Sequence, residues 1–167
     1  ERKWWVIRDI PNPETVAEHS ISAALMLSHR FHKEIKSLDL DISVLQDTLL
    51  IHDIHEPVTL GKDITPHDNI PAKEKKRREL EAVHTVLQHK PLPLKLWMSY
   101  ENGSTQEWKL SMEIDKLQAI EQARFYKNLH WIAWLIEEFY TYAIITKKQI
   151  QTQFLLDYAE ELMTNPS

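Results

Sequence analysis

Apolar residues recur along this chain at three- and four-residue intervals, and the alternating apolar-polar segments that mark half-buried strands are nearly absent. The pattern predicts helices over 14–36, 42–55, 72–89, 94–100, 104–127, 130–145 and 147–163. Local chemistry marks several ends. Ser104-Thr-Gln-Glu107 and Thr146-Lys-Lys-Gln149 have the form of capping boxes, in which a hydroxyl and a carboxyl or amide group satisfy the first amides of a helix. Pro71 suits a first helical turn, whereas Pro91 and Pro93 bar a helix from running on past His89. The longest segment without periodicity, Glu56 to Pro71, leaves directly from the helix expected over 42–55, a placement that suits a substrate-facing loop.

With only two glycines in 167 residues and no internal repeat or linker, the expectation is one all-α domain over 1–167. Its core would span about 14–127, with C-terminal helices about 130–163. A hydrophobic content of 43% with 27% charged residues describes a soluble globule. No apolar run approaches the roughly 20 residues of a membrane span, and no signal-peptide pattern opens the chain. Cysteine is absent, which removes disulfides and thiolate zinc sites and leaves the cytoplasm as the default compartment. The net charge of −5 argues against a nucleic-acid polymer as partner, because attraction to phosphates needs a basic face. The basic run Lys73-Glu-Lys-Lys-Arg-Arg78 is interleaved with Glu74, Glu79 and Glu81 and reads as a solvated helix face. The aromatic-rich segment Leu129 to Tyr142 reads as core, with a share of dimer surface.

The candidate chemistry begins at His52 and Asp53, adjacent at the end of the apolar helical run from Leu45. Neighbouring helical side chains diverge by roughly 100°, so the pair can share one ion only near a helix end, with other helices supplying the remaining ligands. Two such residues exist. His19 opens the apolar pattern Ile21, Ala24, Leu25, and Asp115 falls on the inward face of Met112-Glu-Ile-Asp-Lys-Leu-Gln-Ala119. Two imidazoles and two carboxylates form a mixed nitrogen-oxygen site suited to manganese, cobalt, iron or nickel, and less to magnesium. Such an ion would lower the pKa of a bound water and neutralise charge on a bound anion. Glu56 lies three residues after Asp53, close to one helical turn, and is placed for general acid/base work. Near the start, Arg2 and Arg8 offer guanidinium forks suited to phosphate, and the adjacent Trp4 and Trp5 offer flat apolar surfaces that, taken alone, read as ordinary core packing.

The order His19, His52-Asp53, Asp115, with Arg2-Lys-Trp-Trp-Val-Ile-Arg8, Pro13-Glu-Thr-Val-Ala-Glu-His-Ser20, His52-Asp-Ile-His-Glu56, Gly61, Asp63-Ile-Thr-Pro66 and Asp115-Lys-Leu-Gln-Ala119, resembles the HD-domain metal-dependent phosphohydrolases. Within them it resembles the YfbR-like 5′-deoxynucleotidase branch, over roughly the first three-quarters of the chain. The resemblance implies an HD-domain helical bundle with one divalent ion on His19, His52, Asp53 and Asp115. It implies a deoxyribonucleoside 5′-monophosphate as substrate, a homodimer, and a further helix before Glu1. An arginine would hold the 5′-phosphate, and a tryptophan, Trp5 in the favoured alignment, would pack beside C2′ where a ribose hydroxyl fits poorly. Asp63 would share proton transfer with Glu56, although Lys62 here separates it from Gly61. Two alternatives stay open: a dinuclear HD phosphodiesterase or oxygenase recruiting His84 and His89, and a non-catalytic nucleotide-binding HD protein.

Overall fold

The computed structural model describes residues 1–56, 70–101, 103 and 105–164, and every regular element among them is helical. In chain order these are α1 (Lys3–Val6), α2 (Val16–Leu25) prolonged by a π turn (Met26–Arg30), α3 (His32–Ser37), α4 (Ile42–Ile51), α5 (Ala72–Leu87), α6 (Pro91–Glu101), α7 (Gln106–His130), α8 (Trp134–Tyr140) prolonged by a π turn (Thr141–Thr146), and α9 (Gln153–Thr164). The all-α expectation therefore holds, with informative differences at several boundaries.

Helix α7 is the axis of the bundle and packs against α2, α4, α8 and α9. It can do so because Leu110, Ile114, Leu117 and Ile120 recur at three- and four-residue steps and are all buried. They join Leu45 and Leu49 of α4, Ala23 of α2 and Leu27 of the π turn that follows it in the main core. A smaller core, built on Ile51, Val83, Leu87 and Trp97, ties α5 and α6 to the end of α4.

The helix expected over 14–36 is interrupted at Phe31 (φ −112°, ψ 13°). The π turn before it adds a residue to the helical register, and Phe31 reaches the rings of Phe154 and Tyr158 at centroid distances of 5.4 and 5.6 Å. Helix α4 stops at Ile51, and residues 52–56 continue as successive turns closed by Ile54 N–H to the Ile51 carbonyl and Glu56 N–H to the Asp53 carbonyl. The helix expected from 147 begins only at Gln153. Thr146 instead ends a π turn, and Lys148 takes the left-handed conformation (φ 50°). Glu113 of α7 then accepts from the amides of Gln151 and Thr152 at 3.1 and 2.8 Å, supplying from a distant helix the cap that the local pattern suggested at Thr146. At α7 the cap is Thr105, whose hydroxyl accepts from Trp108 N–H at 3.1 Å; Ser104 lies outside the described residues.

The basic run on α5 is a solvated face as expected: exposed Arg77 bridges Glu74 and Glu81. In the aromatic segment Leu135 and Ile136 are core, while Leu129, Trp131 and Trp134 are each more than half exposed.

Candidate metal centre

Three elements of the main core deliver four side chains to one point. Thr15 and Glu18 form a reciprocal capping box that starts α2, so His19 leaves the first turn of that helix pointing inward and fully buried. His52 and Asp53 follow the last residue of α4, where the turn lets adjacent side chains converge on one side. Asp115 lies on the buried face of α7 one residue after Ile114. One ligand atom from each of His19, His52, Asp53 and Asp115 lies within 4.8 Å of the others, the one such group found among the described residues.

The two imidazoles are oriented from behind. His52 Nδ1 donates to the Leu49 carbonyl at 2.8 Å, and His19 Nδ1 faces Gln118 Oε1. Both Nε2 edges therefore turn to the carboxylates: His19 Nε2 is 2.9 Å from Asp115 Oδ1 and 3.8 Å from Asp53 Oδ2, and His52 Nε2 is 3.2 Å from Asp53 Oδ2 and 3.6 Å from Asp115 Oδ1. Imidazole nitrogens facing carboxylate oxygens need a positive species between them, either a proton or a metal ion.

The electrostatics agree. Burial by itself would push His52 down, yet the Asp53 charge and hydrogen bonds to Asp115 and Asp53 outweigh it and push its pKa up to about 10. Burial likewise disfavours the Asp53 and Asp115 carboxylates. His52 and Arg2 nevertheless hold Asp53 well below the usual range, and Lys116, His19 and His52 do the same for Asp115. The chemistry of this donor set fits a divalent cation of the manganese-to-nickel series.

Two further cations touch the carboxylates. Arg2 Nη1 lies 3.7 Å from Asp53 Oδ2, and Lys116 Nζ lies 2.5 Å from Asp115 Oδ2. Glu56 is half-buried one turn after Asp53. Asp63 lies outside the described residues.

The remaining residues named from the sequence are not brought to the cluster. Arg8 pairs with Glu138 of α8, donates to the Trp4 carbonyl at 2.9 Å, and stacks over the Trp4 ring. Trp4 leans on Phe139 and Tyr142. Trp5, the tryptophan favoured for the sugar, is 1% exposed and stacks on Phe139, with its Nε1–H donating to Glu14 Oε1 at 2.9 Å. The same Oε1 lies 3.9 Å from His19 Nδ1, so the indole stands behind His19, on the side away from the carboxylates. An apolar ring with one polar handle gains most from an interior position when that handle finds an acceptor, as it does here. His84 and His89 are exposed on and just beyond α5.

Glu14 and Gln118 escaped the sequence reading as site residues. Both are buried, and Gln118 Nε2 donates to Glu14 Oε2 at 3.2 Å. The signal available was Gln118 three residues after Asp115 on the same helical face. His55 is buried against the Trp97 ring, 3.6 Å from Glu79.

A family model described as an HD domain matches residues 1–154. The 5′-deoxynucleotidase HDDC2 of Homo sapiens is 34% identical over 144 residues, covering 83% of this chain and 67% of its own. The protein of the same name from Mus musculus is 33% identical over 145 residues, covering 83% and 69%. A solved conserved hypothetical protein from Pyrococcus furiosus superposes with a TM-score of 0.75 at 26% identity, covering 98% of this chain and 91% of that one.

Proposed function

This chain belongs to the HD-domain family, and from that premise we infer that it is a metal-dependent phosphohydrolase acting on deoxyribonucleoside 5′-monophosphates. The observation that carries the reading is the convergence of His19, His52, Asp53 and Asp115 within 4.8 Å, both Nε2 edges turned to two carboxylates. These four residues would hold one divalent ion, with manganese, cobalt, iron or nickel preferred over magnesium by the imidazole donors. When bound, that ion supplies Lewis acidity, which lowers the pKa of water and offsets phosphoryl charge.

The chain's own groups do the rest. Once the carboxylates are neutralised, the Arg2 guanidinium and Lys116 ammonium leave positive charge beside the cluster, complementary to a phosphate dianion. Arg2 is assigned to the 5′-phosphate. Glu56 is assigned to acid/base work, giving a proton to the departing 5′ oxygen of the sugar, with Asp63 as its partner in proton transfer. Preference for a deoxyribose needs an apolar surface beside C2′, where a hydroxyl would lose water without gaining a partner. With Trp5 interior, that surface is assigned to Trp4, which keeps a partly exposed ring two residues after Arg2.

The test is a phosphate-release screen of the metal-loaded protein over deoxy- and ribonucleoside 5′-monophosphates and 3′-phosphates. A higher kcat/KM for dAMP than for AMP is expected, with modest dependence on the base and loss of turnover on chelation. Equal values for dAMP and AMP would remove the deoxynucleotidase reading. A metal content near two per chain would favour a dinuclear centre.

A further inference from the structure

The back of His19 is held by a buried chain of hydrogen bonds that leads to the first residues of the protein. Trp5 Nε1–H donates to Glu14 Oε1 at 2.9 Å, Gln118 Nε2–H donates to Glu14 Oε2 at 3.2 Å, and Gln118 Oε1 faces His19 Nδ1. Glu14 is also fixed through its backbone. Its N–H donates to the Tyr126 hydroxyl at 2.7 Å, and its carbonyl accepts from Arg2 N–H at 2.9 Å. Trp5, Glu14, His19 and Gln118 are all buried, so water does not compete for these bonds.

The polarity of the chain has a consequence. A carboxylate that receives two N–H donors obliges the Gln118 amide to turn its NH2 toward Glu14. Its carbonyl oxygen must then face His19, and an acceptor at that place selects the imidazole tautomer with hydrogen on Nδ1. That tautomer leaves the Nε2 lone pair directed at Asp115 and Asp53. Reversing the amide would set its oxygen against a carboxylate and its NH2 against Nδ1, leaving Nε2 protonated and unable to ligate.

We propose that Glu14 and Gln118 are positioning residues for the metal centre: the Trp5–Glu14–Gln118 relay fixes His19 as a metal ligand. The proposal rests on the metal-centre reading above. It gives Trp5 a task that differs from sugar contact, that of holding one lobe of the Glu14 carboxylate so that the other is left to Gln118. Through its carbonyl, Glu14 also holds the backbone of Arg2, whose guanidinium approaches Asp53, so one buried residue sets both the ligand and the cation beside it.

The experiment is calorimetric titration of the metal-stripped full chain with Mn²⁺ and Co²⁺, with thermal melting to show that each variant is folded. Gln118→Leu and Glu14→Gln should each weaken metal binding about 10–100-fold, the usual effect of removing a group that orients a ligand. Gln118→Glu should weaken it too, because it sets two carboxylates against each other. The double exchange Glu14→Gln/Gln118→Glu keeps charge and volume. Its new amide at 14 accepts from Trp5 and donates to the new carboxylate at 118, which accepts from His19. It should recover binding to within about threefold of wild type. Trp5→Phe, which keeps a ring on Phe139 and loses the N–H, should have the smallest effect and leave any preference for dAMP over AMP unchanged.

Nitrogen-15 NMR of the zinc-loaded wild type should show a proton on Nδ1 of His19. The opposite tautomer overturns the relay. So do folded single variants that bind as tightly as wild type, or a double exchange no better than its weaker parent. A wild type that takes up no metal overturns the metal-centre reading itself, and variants matching a metal-binding wild type overturn the relay alone.

Discussion

The main core and the smaller core meet at the site, and they are built differently. Around His19 and Asp115 the neighbours are interior: Ile114, Leu117 and Ile120 on α7, Ala23 on α2, Leu27 on the π turn after it, and the buried Glu14–Gln118 pair. Around α5 and α6 four buried residues do the corresponding work, and α5 turns a row of Arg77–Glu74–Glu81 ion pairs to solvent. Exposed pairs of that kind contribute little to stability. His52 stands at the joint, with its side chain in the cluster and its carbonyl accepting from Trp97 Nε1 at 3.1 Å. The half of the site that must hold an ion in fixed geometry is thus anchored in the larger core. The half that carries Ile54 and Glu56 rests on the smaller one, and fewer buried contacts mean a lower free energy of local opening.

The largest effect expected on this contrast comes from its rigid side. Asp115→Ala removes one anionic ligand from the main-core half, and the remaining three leave charge and geometry incomplete. Metal retention after dialysis should be lost and phosphate release with it, as read by elemental analysis and a turnover assay.

Glu56→Gln acts on the other side of the joint. Turnover should fall by roughly 10²–10⁴-fold, the usual scale for lost acid/base catalysis, while metal content stays at the wild-type level. A collapse of metal content instead would make Glu56 a ligand.

The same truncation in the two cores sharpens the comparison directly. Leu45→Ala and Leu87→Ala each remove a buried leucine, and each should destabilise its region by about 2–5 kcal/mol. Hydrogen exchange should distinguish them: Leu45→Ala accelerates exchange throughout the bundle, whereas Leu87→Ala accelerates it first in α5 and α6. Uniform acceleration in both would mean that the two cores unfold as one.

A smaller effect concerns protons. In the metal-free cluster His52 is held up to about pH 10 by Asp53 and Asp115, so an incoming cation must displace its proton. Below that pH, the affinity of the stripped protein for Mn²⁺ should rise with pH by up to about tenfold per unit, since less proton competes. Titrations in buffers of different ionisation enthalpy should register proton release. Affinity that is flat between pH 6 and 8 would show that His52 is already neutral in the metal-free protein and has no proton to lose.

The sequence by itself determined the helical class, most of the helices, and the four residues of the cluster. Helical periodicity is a local property of three- and four-residue steps, and the inward face of Asp115 is read from the same steps; at His19 the pattern runs through Ile21 and Leu25, which are half exposed, while Ala23 and Ala24 are the residues that face the core. Only the tertiary structure decided what depends on groups distant in the chain. Helix α9 starts only at Gln153, after Glu113 of α7 has taken the amides of Gln151 and Thr152 just before it, which no pattern near Thr146 could reveal. Phe31 breaks α2 from α3 because Phe154 and Tyr158 receive its ring. Trp5 and Trp4, adjacent and chemically alike, take different places because the Glu14 carboxylate stands where only one indole N–H can reach it. The role of Gln118, likewise, arises from partners 99 and 104 residues away, His19 and Glu14, whose approach is set by how α2 and α7 pack.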